Sequence, residues 1–154
     1  MNTVIPTVRD ARLQDVPFLV RCNAAMALET EHKQLDHATL ARGVTAVFED
    51  AHRGFYLVAE CGDEPAGCLM ITHEWSDWRC GNWWWIQSVY VTPDARRHGV
   101  FRALYAEAER RARAAGAVGL RLYVERENRR AQQTYSALGM REEPYKMLRR
   151  WFAE

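Results

Sequence analysis

The run from Trp83 to Thr92 constrains this chain more than any other segment. Trp83, Trp84, Trp85, Ile86, Val89, Tyr90 and Val91 put apolar or aromatic side chains at odd and even positions alike. A strand shows successive residues to opposite faces, so this one needs cover on both sides. It predicts the centre of a sheet with helices on each face. Pro93 ends the strand. Arg96, Arg97 and His98 then crowd into a turn, and Gly99 lets the backbone come close to whatever sits there. A helix follows, opening with Val100, Phe101, Arg102, Ala103 and Leu104. Its start directs N–H groups and the positive end of its dipole toward the same turn. Such a turn is an anion site, most naturally for a phosphate or pyrophosphate.

The flanking elements complete the pattern. Thr7 to Arg9 predicts a short strand. Asp15 is expected to cap a helix carrying Val16, Leu19, Val20, Ala24 and Ala27, with Pro17 tolerated in its first turn. Glu29-Thr30-Glu31-His32-Lys33 reads as a polar bridge to a second helix, from about Asp36 to Asp50. Phe55 to Cys61 and Gly67 to about Glu74 predict a hairpin around the turn Gly62 to Pro65. Ser76 to Asn82 reads as a loop. After the basic turn, Phe101, Leu104, Ala108, Ala112 and Ala115 make one helix face, and Gly116 stops it. Leu120, Leu122 and Val124 alternate with polar neighbours as a strand. Asn128 caps a last helix that Gly139 ends, and a final strand is expected over roughly Tyr145 to Phe152. The order is β-α-α-β-β-β-α-β-α-β. Hairpins first and crossovers later predict an α+β fold with a mixed, mostly antiparallel sheet flanked by helices, as a single domain over 1–154.

Composition narrows the function classes. The net charge of +1 offers no global attraction for nucleic acid or an acidic membrane, so an anion site has to be local. No apolar run approaches the ~20 residues of a membrane span, and the first ten residues lack a secretory pattern. A cytoplasmic location is expected. Cys22, Cys61, Cys68 and Cys80 form no C-x-x-C pair, and the five histidines show no metal spacing, so no metal is expected and the thiols read as buried and inert.

A second motif decides between an exposed charged turn and a functional one. Asn128, Ala131, Tyr135 and Gly139 fall at N-x-x-A-x-x-x-Y-x-x-x-G spacing. Ala131 and Tyr135, four apart, share one helix face. With Arg96 and Gly99 of the basic turn, about 30 residues upstream, this resembles the GNAT N-acetyltransferase superfamily over essentially the whole chain. The family's loop pattern ends in a small residue where Phe101 stands here, and Met140 replaces its usual aromatic residue.

The resemblance implies acetyl-CoA as cosubstrate and a primary amine as acceptor, a small molecule more than a protein. It assigns the cofactor to Val89, Tyr90 and Val91 of the central strand, to Arg96, Arg97, His98, Gly99, Val100, Phe101 and Arg102, and to Asn128, Ala131 and Tyr135. It makes Tyr135 the general acid and implies a gap between the strands at Trp83 to Thr92 and Leu120 to Val124. The base is left open. Many relatives carry a glutamate near Gln87, which cannot take a proton but can orient a water molecule. Glu29, Glu31 and Glu74 are the other candidates. A binding module that holds coenzyme A without catalysis is the alternative, supported by Gln87. A nucleic-acid module using Arg96, Arg97, Arg129 and Arg130 with exposed tryptophans as stacking platforms is disfavoured by the near-zero charge. Relatives are often dimers, so a homodimer is a possibility.

Overall fold

The computed structural model describes residues 4–153. The described residues divide into two compact units, 4–122 and 123–153. The first contains β1 (Thr7–Asp10), α1 (Val16–Glu31), α2 (His37–Glu49), β2 (Phe55–Cys61), β3 (Glu64–Ser76), β4 (Gly81–Val91), α3 (Val100–Ala114) and β5 (Gly119–Leu122). The five strands lie side by side in chain order. The first three pairings are antiparallel, and β5 joins β4 in parallel, as a crossover through α3 requires. The expected mixed, mostly antiparallel sheet flanked by helices is the observed one.

Alternation along the strands assigns the two faces. Tyr56, Val58, Cys68 and Tyr90 pack with Leu19, Val20, Cys22, Val44 and Val47 of α1 and α2. The opposite face of β3 meets α3, where Val100 and Leu104 lie against Gly67. The buried α3 series is Val100, Leu104, Ala108 and Ala112, with Tyr105 buried beside it. Phe101 and Ala115, expected in that stripe, do not belong to it. Phe101 sits on its flank against Tyr105, with ring centroids 6.3 Å apart, and Ala115 is exposed. A strict spacing of four, started one residue earlier, drives the methyl groups of Val100 into the sheet.

Two helix ends differ from the sequence reading. Asp15 does not cap α1 with its side chain. It is buried and accepts from the Arg9 guanidinium at 2.7 and 3.0 Å and from the Arg12 amide at 2.6 Å. The helix α1 also continues through Glu31, so Glu29 and Glu31 belong to its last turn and not to a bridge. His32 ends it in the left-handed region at φ 54°, and its amide and that of Lys33 both donate to the Ala27 carbonyl. Asp36 caps α2 as read, accepting from the Thr39 amide at 2.9 Å.

The Arg9 guanidinium, ahead of the Arg12 amide, holds the Asp15 carboxyl below its ordinary range. A carboxylate with a lowered folded value contributes fully above its unfolded value, near ~4, and loses that contribution as pH falls through the folded value. Asp15→Asn is expected to cost about 2 kcal/mol at neutral pH. Urea denaturation at pH 7 and pH 3 checks this: the difference from the parent protein should shrink at the lower pH.

In the second unit, α4 (Arg129–Ala137) starts where Asn128 Oδ1 accepts from the Ala131 amide at 3.1 Å. The Gln132 side-chain amide donates to the carbonyls of Glu125 and Arg126, bracing the approach to the helix. Gly139 ends it at φ 92°. The expected strand over Tyr145 to Phe152 is absent: those residues form neither strand nor helix and are exposed. Of the four thiols, Cys22 and Cys68 are buried, but Cys61 is half-buried and Cys80 is exposed, which corrects the uniform expectation.

Candidate active site

The centre of the site is a break in β4. Met70 of β3 pairs with Ser88, and the next residue, Ile71, pairs with Ile86. Gln87 falls between them as a one-residue bulge, with its side-chain amide donating to Thr72 Oγ1 at 2.8 Å. Pairing of β4 with β5 runs only from Trp83↔Gly119 to Ile86↔Leu122. Beyond the bulge, β4 continues to Val91 with no strand beside it on that edge among the described residues. The bulge and the end of the β4–β5 pairing coincide.

The end of β4 leads into the basic turn. Pro93 to Ala95 make a short 3-10 turn, and Arg97 and Gly99 both take left-handed conformations, at φ 67° and 81°. A Cβ on Gly99 would meet no atom within 4 Å, so the turn fronts open space. The first bond of α3 runs from the Ala103 amide to the Gly99 carbonyl at 3.0 Å. The amides ahead of it, including those of Val100 and Arg102, face away from the helix. Arg97, His98 and Arg102 are exposed, and no carboxylate pairs with them among the described residues. Left-handed turn, helix start and uncommitted cations together fit a diphosphate.

Arg96 is arranged differently. Its Nη2 donates to Glu29 Oε2 at 2.8 Å, its Nε donates to the Val91 carbonyl at 3.2 Å, and its guanidinium lies 5.6 Å from the centre of the Tyr90 ring. The Tyr90 hydroxyl donates to Glu29 Oε1 at 2.8 Å. That bond, ahead of Arg96, draws the Glu29 carboxyl below its usual range. Burial, ahead of Glu29, pushes the Tyr90 phenol up to about 12. Sequence reasoning placed Glu29, Tyr90 and Arg96 in the site separately; the fold brings them together.

Of the other candidates, Glu31 and Glu74 have different partners. Glu31 is exposed beside Lys33, at 3.9 Å. Glu74 is paired with Arg121 at 2.6 Å. Asn128, Ala131 and Tyr135 are on α4 in the second unit, Asn128 serving as its cap and Tyr135 half-buried. Two features had no signal in the sequence. One is Thr72 as the partner of Gln87. The other is Trp83 packed against guanidinium groups, 4.0 Å from Arg121 and 5.4 Å from Arg79. A shallow cleft of about 230 Å³ near Val47, Phe48, Phe55 and Tyr56 includes none of the turn residues. Among the described residues no cluster of metal-ligating groups occurs, and no helix is long and apolar enough to cross a membrane.

A family model for the acetyltransferase (GNAT) family matches residues 22–140. The chain belongs to the GNAT acetyltransferase family. It is an N-acetyltransferase of a family whose acyl donor is acetyl-CoA. A possible acetyltransferase from Clostridium difficile 630 is similar to this GNAT chain at 40% identity and TM-score 0.91, covering 97% of this chain and 99% of that one. An integron cassette protein from the mobile metagenome of Cole Harbour Salt Marsh is 24% identical, with TM-score 0.82 and coverage of 96% and 91%. An aminoglycoside N-acetyltransferase in complex with CoA is 14% identical, with TM-score 0.78 and coverage of 96% and 95%. The last two likenesses show the fold alone. The comparison with curated proteins returned no match.

Proposed function

We propose that this GNAT protein moves an acetyl group from acetyl-CoA to the primary amine of a small-molecule acceptor, with the diphosphate of the cofactor over Arg96 to Arg102. The observation that carries the reading is the turn itself: left-handed Arg97 and Gly99 at the start of a 15-residue helix, beside a strand whose far edge is released at a bulge. The thioester supplies an activated acyl group. The turn amides, Arg97, His98 and Arg102 hold the diphosphate. The backbone of Val89 to Val91 orients the acyl carbonyl, and Asn128 and Ala131 contact the cofactor arm. Tyr135 is the proton donor to the departing sulfur, through its phenol O–H.

The acceptor must lose a proton, and Glu31 and a water oriented by Gln87 are the candidate routes. Glu29 is less suited, because a carboxyl held below its usual range is a weak base near neutrality. Half-buried Trp83 and Trp85 share one face of β4 before the bulge and suit a small, partly apolar or cationic amine.

Calorimetry with coenzyme A tests the cofactor site. Gly99→Val forces a β-branched residue into a left-handed position and is expected to weaken binding at least about tenfold, as loss of a strained turn of 1–3 kcal/mol implies. Arg113→Ala, turns away on α3, should change it little. Equal effects would overturn the site. Thiol release with a panel of amines then identifies the acceptor class.

A further inference from the structure

Arg96 is the residue of the turn that sequence alone would assign most readily to phosphate, yet its Nε and Nη2 are already engaged. Its Nε is on the Val91 carbonyl, and its Nη2 is on Glu29 and 3.4 Å from the Tyr90 hydroxyl. Glu29 stands in the last turn of α1, where the negative end of the helix dipole disfavours a carboxylate. The Arg96 guanidinium supplies the compensating charge. Drawing Arg96 away to a phosphate would leave Glu29 uncompensated. It would also strip a partner from the hydroxyl of Tyr90, a residue buried against α1 and α2. Arg97, His98 and Arg102 carry no such commitments.

We propose that Glu29 is a positioning residue: with Tyr90 it clamps Arg96 as a strut that presets the diphosphate turn, leaving Arg97, His98 and Arg102 to face the phosphates. The inference rests on the coenzyme A reading above for its ligand. The strut itself is a property of the protein alone. It joins the C-terminal turn of α1 to the end of β4 and the entrance of the turn. A contact that fixes the entrance lowers the ordering cost of binding without touching the ligand.

The test uses the intact protein and coenzyme A as probe. Glu29→Gln and Arg96→Ala should each weaken coenzyme A binding about tenfold by calorimetry, the scale of one charge-assisted hydrogen bond. The double variant should be no weaker than either single one, because both remove the same strut. Tyr90→Phe keeps the ring and should give a smaller loss in the same direction. In the ligand-free protein, Glu29→Gln should speed hydrogen exchange at the Ala103 amide, the first bonded amide of α3. Tighter or unchanged coenzyme A binding in Glu29→Gln, or additive losses in the double variant, would overturn the strut. Disappearance of the acidic limb of the pH–kcat profile in Glu29→Gln would also overturn it and make Glu29 the base. If the parent protein does not bind coenzyme A, the cofactor reading fails, and the exchange rate at Ala103 still decides for or against the strut.

Discussion

Tyr135→Phe is expected to lower kcat by about 10²- to 10⁴-fold, the range associated with a general acid or base. The substitution removes one oxygen and keeps the ring, so the half-buried packing on α4 should survive. Coenzyme A affinity should stay near that of the parent. The loss belongs in kcat because the proton is needed when the sulfur departs, after the cofactor has bound. Steady-state kinetics with thiol detection, together with a thermal melt, checks the prediction. A folded variant with undiminished turnover would show that solvent or another group protonates the sulfur. Glu31→Gln is the companion: an unchanged acidic limb would point to an amine that arrives neutral, or to a water path organised by Gln87.

Gly67→Val is expected to cost about 3 kcal/mol, at the upper end of overpacking effects, and to weaken coenzyme A binding as well. A Cβ at Gly67 would lie 2.7 Å from the Tyr90 carbonyl oxygen and 3.0 Å from Val100 Cγ1. The carbonyl belongs to the sheet and cannot give way, so the first turn of α3 must lift, carrying the basic turn with it. Val44→Ala is the comparator. It opens a cavity on the other face, under α1 and α2, at a cost of similar order. Chemical denaturation and calorimetry on both variants should show comparable stability losses, but weaker coenzyme A binding only in Gly67→Val. Equal coenzyme A affinities in the two would separate the position of α3 from the function of the turn.

What the sequence disclosed follows from where the information sits. The basic turn and the motif on α4 were legible because each is local: turn chemistry, helix start and i, i+4 spacing lie within a few residues. The double-sided apolar run of β4 announced helices on both faces for the same reason. Residues Tyr145 to Phe152 misled because aromatic and aliphatic composition favours a strand, yet a strand exists only by pairing, and none forms there among the described residues. The end of α1 was missed because Glu29 and Glu31 are polar but sit on an exposed helical turn, and the terminating left-handed residue is His32 in place of a glycine. The cluster of Glu29, Tyr90 and Arg96 was invisible as a unit. Its members are separated by 61 and 67 positions, and nothing local links them.

The bulge at Gln87 makes function depend on a count as well as on chemistry. Before it, even-numbered β4 residues such as Ile86, opposite Ile71, share the α3 face; after it, even-numbered Tyr90, opposite Cys68, faces α1. One residue has reversed the parity of the strand. A regular ladder that kept Gln87, pairing it with Met70, would restore simple alternation and turn the Tyr90 hydroxyl away from Glu29, toward the α3 side of the sheet. A β4 of identical sequence without the bulge would thus keep its apolar character and lose the link between α1 and the diphosphate turn, whereas deleting Gln87 itself would leave Tyr90 opposite Cys68. The link therefore depends on where the ladder skips a residue, and not on the length of the strand.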